Sequence, residues 1–421
     1  MYQLSAEGSA EMAKPIVAFA QPAFRAHPQT LAGLLVLAAT ATVILIVSRR
    51  DAEFGIFAAL GLGFGAALQR SRFCFNAAFR DLWQFRSGRT MKGVIVGMSV
   101  VTAGFGIHMY TLLPNPSLGV VAPEAHATPL SLALIVGGLL FGIGMVVAGG
   151  CVSGSIYRMG EGYVASWVSF AGIMGGLLLA AHTWNWWWEH FIRDAPVVWF
   201  PRYLGYGGAV ALTLAGLLGA YLLVLWIESR GGPDIREAAQ PGPVETFGAR
   251  VRALVHAAVG RGWPAAVGGI VVGLLNIFSY DVHMPWRVVG EVSRWATGLG
   301  GLVGVAPGPL LGTEELAACT LAVGGGLLTH GLLLNIGLFG GSFLAALLAH
   351  EFKVRVPRNP VRYLQSLAGG VAMGYGAAIS LGCTVGAFFS AIPSLALNGW
   401  VFALALAGGS FLGLQVIRRI P

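Results

Sequence analysis

The chain has 421 residues, a mean hydropathy of +0.73 and only 10% charged residues, against roughly 25% in an ordinary soluble domain. That much apolar length cannot be buried in a soluble fold, and the apolar runs do not alternate as the strands of a membrane barrel would. The formal charge of +8 is gathered into short clusters between apolar runs, which is a topology signal rather than a nucleic-acid surface, so no nucleic-acid partner is expected.

Residues 1–30 carry Glu7, Glu11 and several polar residues, lack the compact apolar core of a cleavable signal, and are expected to form an N-terminal segment. The first charge-free run, 26–48, suffices for one span, since the bilayer core takes about 20 apolar residues. Residues 61–80, GLGFGAALQRSRFCFNAAFR, read as an apolar helix running into a basic, aromatic segment. Charge-free runs at 93–123, 125–157, 162–188 and 203–227 complete a first membrane half, 31–227. The hydrophilic stretch 228–263, with Glu228, Pro233, Asp234, Pro241 and Pro243, reads as a cytoplasmic linker. A second half, 264–421, contains the runs 262–280, 317–350 and 363–417, the last without one charged side chain. The expected fold class is an all-α polytopic membrane protein in a lipid bilayer, with two inverted-topology repeats and broken or re-entrant helices.

The repeat is legible in the residues themselves. Residues 137–176 align with 369–409, so that Gly137, Gly138, Gly142, Gly144, Gly150, Cys151 and Gly154 fall on Gly369, Gly370, Gly374, Gly376, Gly382, Cys383 and Gly386. One inserted residue then brings Trp167 onto Trp400. Fainter similarity links 61–80 with 269–295, where Pro285, Trp286 and Arg287 follow an apolar helix. The 62 glycines suit close helix packing and breaks in helices, the two uses glycine has inside a membrane.

Basic residues orient the chain. The 70–92 loop, the linker, the cluster Lys353, Arg355, Arg358 and Arg362, and the terminal Arg418 and Arg419 are expected on the cytoplasmic side. The 114–128 loop, without Lys or Arg, is expected outside, and Trp184, Trp186, Trp187 and Trp188 suit an outer aromatic belt. The two glycine-cysteine units then enter the membrane from opposite faces. Arg49 and Arg50 fit this scheme poorly, since they fall outside if the first span runs outward.

Both units place G-C-x-x-G after a long apolar helix: Gly150, Cys151 and Gly154, then Gly382, Cys383 and Gly386. A re-entrant hairpin and two full spans both fit this spacing. A helix that restarts within the membrane directs unpaired N–H groups and the positive end of its dipole at an anion. A thiol in low dielectric stays protonated and offers a weak S–H donor to a soft sulfur atom, and weak successive contacts suit transport because the ligand must leave each one. Cys151 and Cys383 are repeat-equivalent, and Cys74 ends the Arg70–Arg72 segment, so these three are candidate path residues, whereas Cys319 reads as packing. Arg70, Arg72 and Arg80 are candidates for attracting an anion at the cytoplasmic mouth, although ordinary topology accounts for each equally well. Arg287, Glu291 and Arg294 fit either a gate or a structural ion pair. No C-x-x-C occurs, and the histidines do not pair at helical ligand spacing around any long span, so no metal or cofactor is expected.

The segment Arg70, Cys74, Phe75, Ala78, Phe79, Arg80, Asp81, together with GGLLFGIGMVVAGGCVSG, GEVSRW at 290–295 and GCTVGAFFSAI, resembles the YeeE/YedE family of bacterial inner-membrane proteins, most of all its YedE-like branch. The resemblance covers roughly residues 55–415. It implies an inverted-repeat fold that passes a small inorganic sulfur anion, above all thiosulfate, along a path lined by Cys74, Cys151 and Cys383. It also implies a small cytoplasmic sulfur-carrier protein of the TusA type as a partner. Transport of selenium compounds or of another sulfur species is the nearest alternative. A membrane thiol–disulfide enzyme is the alternative of a different class; it needs a resolving cysteine beside a reactive one, and the sequence offers no adjacent pair.

Overall fold

A computed structural model describes residues 28–230, 262–313 and 328–419, with the single positions 316, 321 and 326. Most of the N-terminal segment 1–30, most of the linker 228–263, and Cys319 lie outside the described residues. In the first half the helices are α1 (Pro28–Ser48), α2 (Ala52–Ser71), α3 (Phe75–Phe85), α4 (Arg89–Leu112), α5 (Leu132–Ala148), α6 (Val152–Gly160), α7 (Val164–Trp187) and α8 (Pro201–Ser229). The second half contributes α9 (Ala265–Val282), α10 (Val289–Leu302), α11 (His330–Leu348), α12 (Val361–Ile379) and α13 (Leu397–Arg419). Among the described residues, nine helical runs are long and apolar enough to cross a bilayer, and α12 makes a tenth with the π-helical segment Thr384–Ser390, bent from it by 51°. The protein is a multi-pass α-helical membrane protein.

The outermost helices show why the composition is so apolar. On α1 the side chains of Leu31, Leu35 and Leu45 are exposed, as a lipid-facing helix requires. Two of its three threonines, Thr40 and Thr42, turn their hydroxyls back onto the carbonyls of Val36 and Ala38, at 2.8 and 2.9 Å, so neither presents an unpaired group to lipid.

The interior is assembled by backbone-to-backbone contact at glycine. A Cβ on Gly65 would lie 2.1 Å from the Leu338 carbonyl oxygen, and one on Gly97 would lie 2.6 Å from that of Gly269; no side chain fits at either place. These contacts also fix directions. Gly61 and Gly65 of α2 meet Gly337 and Leu338 of α11 in parallel order. In the same way Gly93 and Gly97 of α4 meet Ala265 and Gly269 of α9, and Gly172 and Gly176 of α7 meet Leu367 and Val371 of α12. Leu139 and Ile143 of α5 meet Gly409 and Gly413 of α13, again in parallel. By contrast, α5 and α12 cross antiparallel, with Gly137 against Gly376 and Gly144 against Gly369. Since α7 is parallel to α12 and α13 is parallel to α5, each glycine-cysteine unit turns back on itself. The ends of one unit lie opposite the ends of the other.

The expected aromatic belt is only partly formed. Trp186 is half exposed, but Trp184 and Trp188 are buried. Trp184 donates its indole N–H to the Leu311 carbonyl at 2.8 Å, and Trp187 donates to the Tyr375 hydroxyl at 2.9 Å. Their polar ends are satisfied by the protein rather than by a membrane surface. Arg49 and Arg50 lie in the turn between α1 and α2, at the end of α2 remote from Arg70, so they depart from the basic-side pattern as the sequence suggested.

Candidate functional site

Three helices are followed by a similar break. Arg72 closes α2 at φ 49°, Gly149 closes α5 at φ 83°, and Leu381 follows α12 at φ 60°, all in the left-handed region. Two residues after each comes a cysteine: Cys74, Cys151 and Cys383. Each of these has extended backbone and stands at the N-cap of the next segment, α3, α6 and Thr384–Ser390 respectively. The helix breaks read from the sequence are therefore present. The left-handed residue in each repeat, however, is the one before Gly150 or Gly382, not that glycine itself.

All three thiols are buried, at 3%, 1% and 0% exposure in chain order. Cys151 accepts the Gly154 backbone N–H at 3.4 Å and meets the Ser153 hydroxyl at 3.5 Å. A Cβ on Gly154 would lie 3.2 Å from the Cys151 sulfur and 4.0 Å from the Cys74 sulfur, so this glycine leaves space where two thiols converge. The Thr384 hydroxyl, next to Cys383, comes close to the Cys151 thiol without completing a hydrogen bond. The restarted segments thus lie next to one another. Their walls are dry: Phe75 packs on Phe389 with ring centroids 5.5 Å apart, and Phe79 packs on Phe388 at 5.6 Å.

On one side of Cys74 opens a cavity of about 530 Å³, lined among others by Arg70, Arg72, Cys74, Tyr157, Arg158 and Glu161. Arg158 reaches Cys74 with its guanidinium, 3.9 Å from the sulfur, and also donates to the Gly149 carbonyl. Arg362 donates to the carbonyls of Val147 and Ala148 at 3.0 and 2.7 Å. Two guanidinium groups thereby satisfy the last carbonyls of α5, which a break would otherwise leave unpaired in the membrane. Arg70 is 5% exposed and lies 3.5 Å from Glu351, while its Nε and Nη2 atoms have no hydrogen-bond partner. Arg72 shares Glu351 at 3.6 Å. Burial raises the Glu161 carboxyl above its ordinary range, opposed by Arg158, Arg72 and Arg355.

Of the residues singled out in the sequence, Arg70, Arg72 and Cys74 line this cavity, and Gly154 and Cys151 lie beside Cys74. Gly150 lies beside Arg158, 3.6 Å from a built Cβ. Gly382 and Cys383 belong to the second break, with Gly386 buried in the segment that follows. Arg80 is not among the residues lining the cavity; its guanidinium is held 2.7 Å from Asp81, so its charge is locally cancelled. Arg287 pairs with Glu124 at 2.7 Å, and Glu291 pairs with Arg294 at 3.3 Å while accepting from Trp295 and Thr329.

Sequence reasoning missed two residues. Arg158 had a signal, because Arg158 and Glu161 are the only charged residues from 125 to 188, and a charge within an apolar span is a functional marker. His126 had none. It lies in the connection between α4 and α5, fully buried, with both ring nitrogens unpartnered and its Nε2 3.1 Å from a Cβ built on Gly382. Burial, with the Arg287 charge adding to it, pushes the imidazole down to about 3, so it is neutral at physiological pH.

Broken helices that meet inside a bundle, with a basic cavity beside them, are an arrangement found in many membrane transporters. The chain matches the sulphur-transport family model over residues 70–412 and belongs to that family, known also as YeeE/YedE. It is 30% identical over 376 residues to the thiosulfate transporter TsuA of Spirochaeta thermophila, covering 86% of this chain and 98% of that one. It is 28% identical over 342 residues to the thiosulfate transporter TsuA of Escherichia coli, covering 80% and 87%. A shorter match, 38% identical over 167 residues, covers 38% of this chain and 40% of the probable transporter YedE of Salmonella typhimurium. These relatives support sulfur-compound transport across a bacterial membrane.

Proposed function

We propose that this protein imports thiosulfate across the inner membrane along a path that runs past Cys383, Cys151 and Cys74 in turn. The observation that carries this reading is the position of Cys74, whose sulfur faces the basic cavity, the Arg158 guanidinium and, across Gly154, the Cys151 thiol. Arg158 and the unpartnered atoms of Arg70 attract the anion's oxygens. The three thiols then offer S–H groups to its terminal sulfur. Each contact is weak, roughly 0.5–1 kcal/mol for a weak hydrogen bond, so the ion can pass to the next.

The reciprocal pairing of α5 with α13 and α7 with α12 supports reading the two halves as inverted repeats, with the cavity opening to the cytoplasm. A TusA-type carrier receiving sulfur there belongs to the same proposal. The meeting of Cys74 and Cys151 at Gly154 also meets one need of the thiol–disulfide reading. Uptake of labelled thiosulfate by vesicles kept under reductant separates the two, because transport survives it and a disulfide cycle does not.

The test is growth on thiosulfate as sole sulfur source in cells lacking their own importers, with membrane expression checked. Cys74→Ala, Cys151→Ala and Cys383→Ala are each expected to slow uptake at least several-fold. The loss is larger if the thiol is the ion's sole partner in a dry constriction, where an unpaired group costs about 1–3 kcal/mol. Parental growth of all three variants would reduce the thiols to packing residues.

A further inference from the structure

At the end of α2 remote from the cavity, three helix termini bring together Glu53, His283 and His330. Glu53 lies in the first turn of α2, His283 caps α9, and His330 begins α11. One donor atom from each residue lies within 4.8 Å of the other two. Glu53 Oε2 is 3.3 Å from His330 Nε2 and 3.6 Å from His283 Nδ1. An imidazole N–H bonded to a carboxylate would be shorter, about 2.7–2.9 Å, and the buried His330 Nε2 has no hydrogen-bond partner. The two distances to Glu53 instead suit donors that share an ion, and the third donor pair lies within 4.8 Å. Zinc bonds of about 2.0–2.1 Å at tetrahedral angles hold neighbouring donor atoms roughly 3.3–3.4 Å apart.

The rings are also held in place. The two imidazole centroids are 4.5 Å apart, and Phe54 and Phe57 pack on His330 at 4.8 and 4.9 Å. We propose that Glu53, His283 and His330 form a binding site for a divalent transition-metal cation, zinc first among them. Two imidazoles and one carboxylate match its ligand preference and leave a fourth position for water. Calcium and magnesium, which require oxygen donors, are disfavoured. The site is not legible in the sequence, because its donors come from three helices distant in the chain, none at helical ligand spacing. Glu53 belongs to the first half and both histidines to the second, so the ion cross-links the halves at the face opposite the cavity.

The test uses the purified full-length protein, stripped with a chelator and reconstituted in lipid nanodiscs. Zinc titration by calorimetry is expected to give one ion per chain, with Kd at or below about 1 μM, and zinc is expected to raise Tm. Cobalt(II) added in place of zinc is expected to give the intense visible bands of a four-coordinate site. His283→Ala, His330→Gln and Glu53→Gln are each expected to weaken binding at least tenfold and to abolish the Tm shift. Variants that elute as the parent does on size exclusion keep the comparison independent of misfolding. No stoichiometric binding to the parent chain would overturn the proposal. So would zinc binding that all three substitutions leave unchanged.

Discussion

Arg158 holds two tasks that its neighbours cannot share. Its guanidinium satisfies the Gly149 carbonyl at the α5 break while standing 3.9 Å from the Cys74 sulfur at the cavity wall. Hydrogen bonds to charged groups contribute about 1.5–3 kcal/mol, which corresponds to roughly a tenfold effect or more on a rate. Arg158→Gln is therefore expected to lower initial uptake of radiolabelled thiosulfate at least tenfold. Arg158→Lys, keeping the charge but not the planar fork, is expected to retain more uptake than Gln; equal loss in both would mean that geometry alone matters. At this scale the sequence showed that Cys151 and Cys383 occupy equivalent places and that Cys74 ends a basic segment, and all three stand at the N-cap of a restarted segment. It was silent on His126, whose burial against Gly382 depends on a connection folding into the bundle. For Arg80 it left two roles open, and adjacency to Asp81 in the chain did not reveal that the two side chains pair at 2.7 Å.

The breaks make a sharper distinction among glycines than the repeat alignment does. Gly150 matches Gly382 across the repeat, yet the left-handed backbone falls on Gly149 and Leu381. A Cβ on Gly149 would meet the Arg362 guanidinium at 2.2 Å, whereas one on Gly150 finds nothing nearer than 3.6 Å. Left-handed backbone costs a residue with Cβ about 1–2 kcal/mol, and displacing Arg362 would free two carbonyls. Gly149→Ala is expected to lower stability by about 2–3 kcal/mol, and Gly150→Ala to be nearly neutral, as read from thermal unfolding in detergent. The reverse order would refute this account of the break. Helix positions and the two glycine-cysteine breaks were legible because apolar runs and G-C-x-x-G recur. The third break was not, since Arg72 carries no glycine, and nothing in Arg72-Phe73-Cys74 announces a left-handed turn.

Across the whole molecule, the antiparallel crossing of α5 and α12 sets the two glycine-cysteine units in opposite senses. Single cysteines introduced at 115–125 and at 353–362 are expected to react with impermeant thiol reagents from opposite faces of the membrane. Labelling of both from one face would sink the inverted arrangement. Charge counting leads to the same expectation in most loops, with Arg49 and Arg50, in the short turn between α1 and α2, as its exception. What charge counting cannot supply is which helix touches which. That depends on glycine faces meeting in three dimensions, and 62 glycines in one chain offer too many equivalent stripes to choose between.

Those meetings run almost wholly between halves: α2 with α11, α4 with α9, α7 with α12, and α5 with α13 and α12. During translation, α2 to α8 leave the ribosome before any of these partners has been made. The narrow glycine grooves of the newly inserted helices are then occupied by lipid chains, which must be displaced when the later helices arrive. The nascent first half therefore lacks most of its glycine-face partners, and only packing such as that of α4 on α8 and α1 on α2 is open to it. Close packing of α5 accordingly waits for the synthesis of α13.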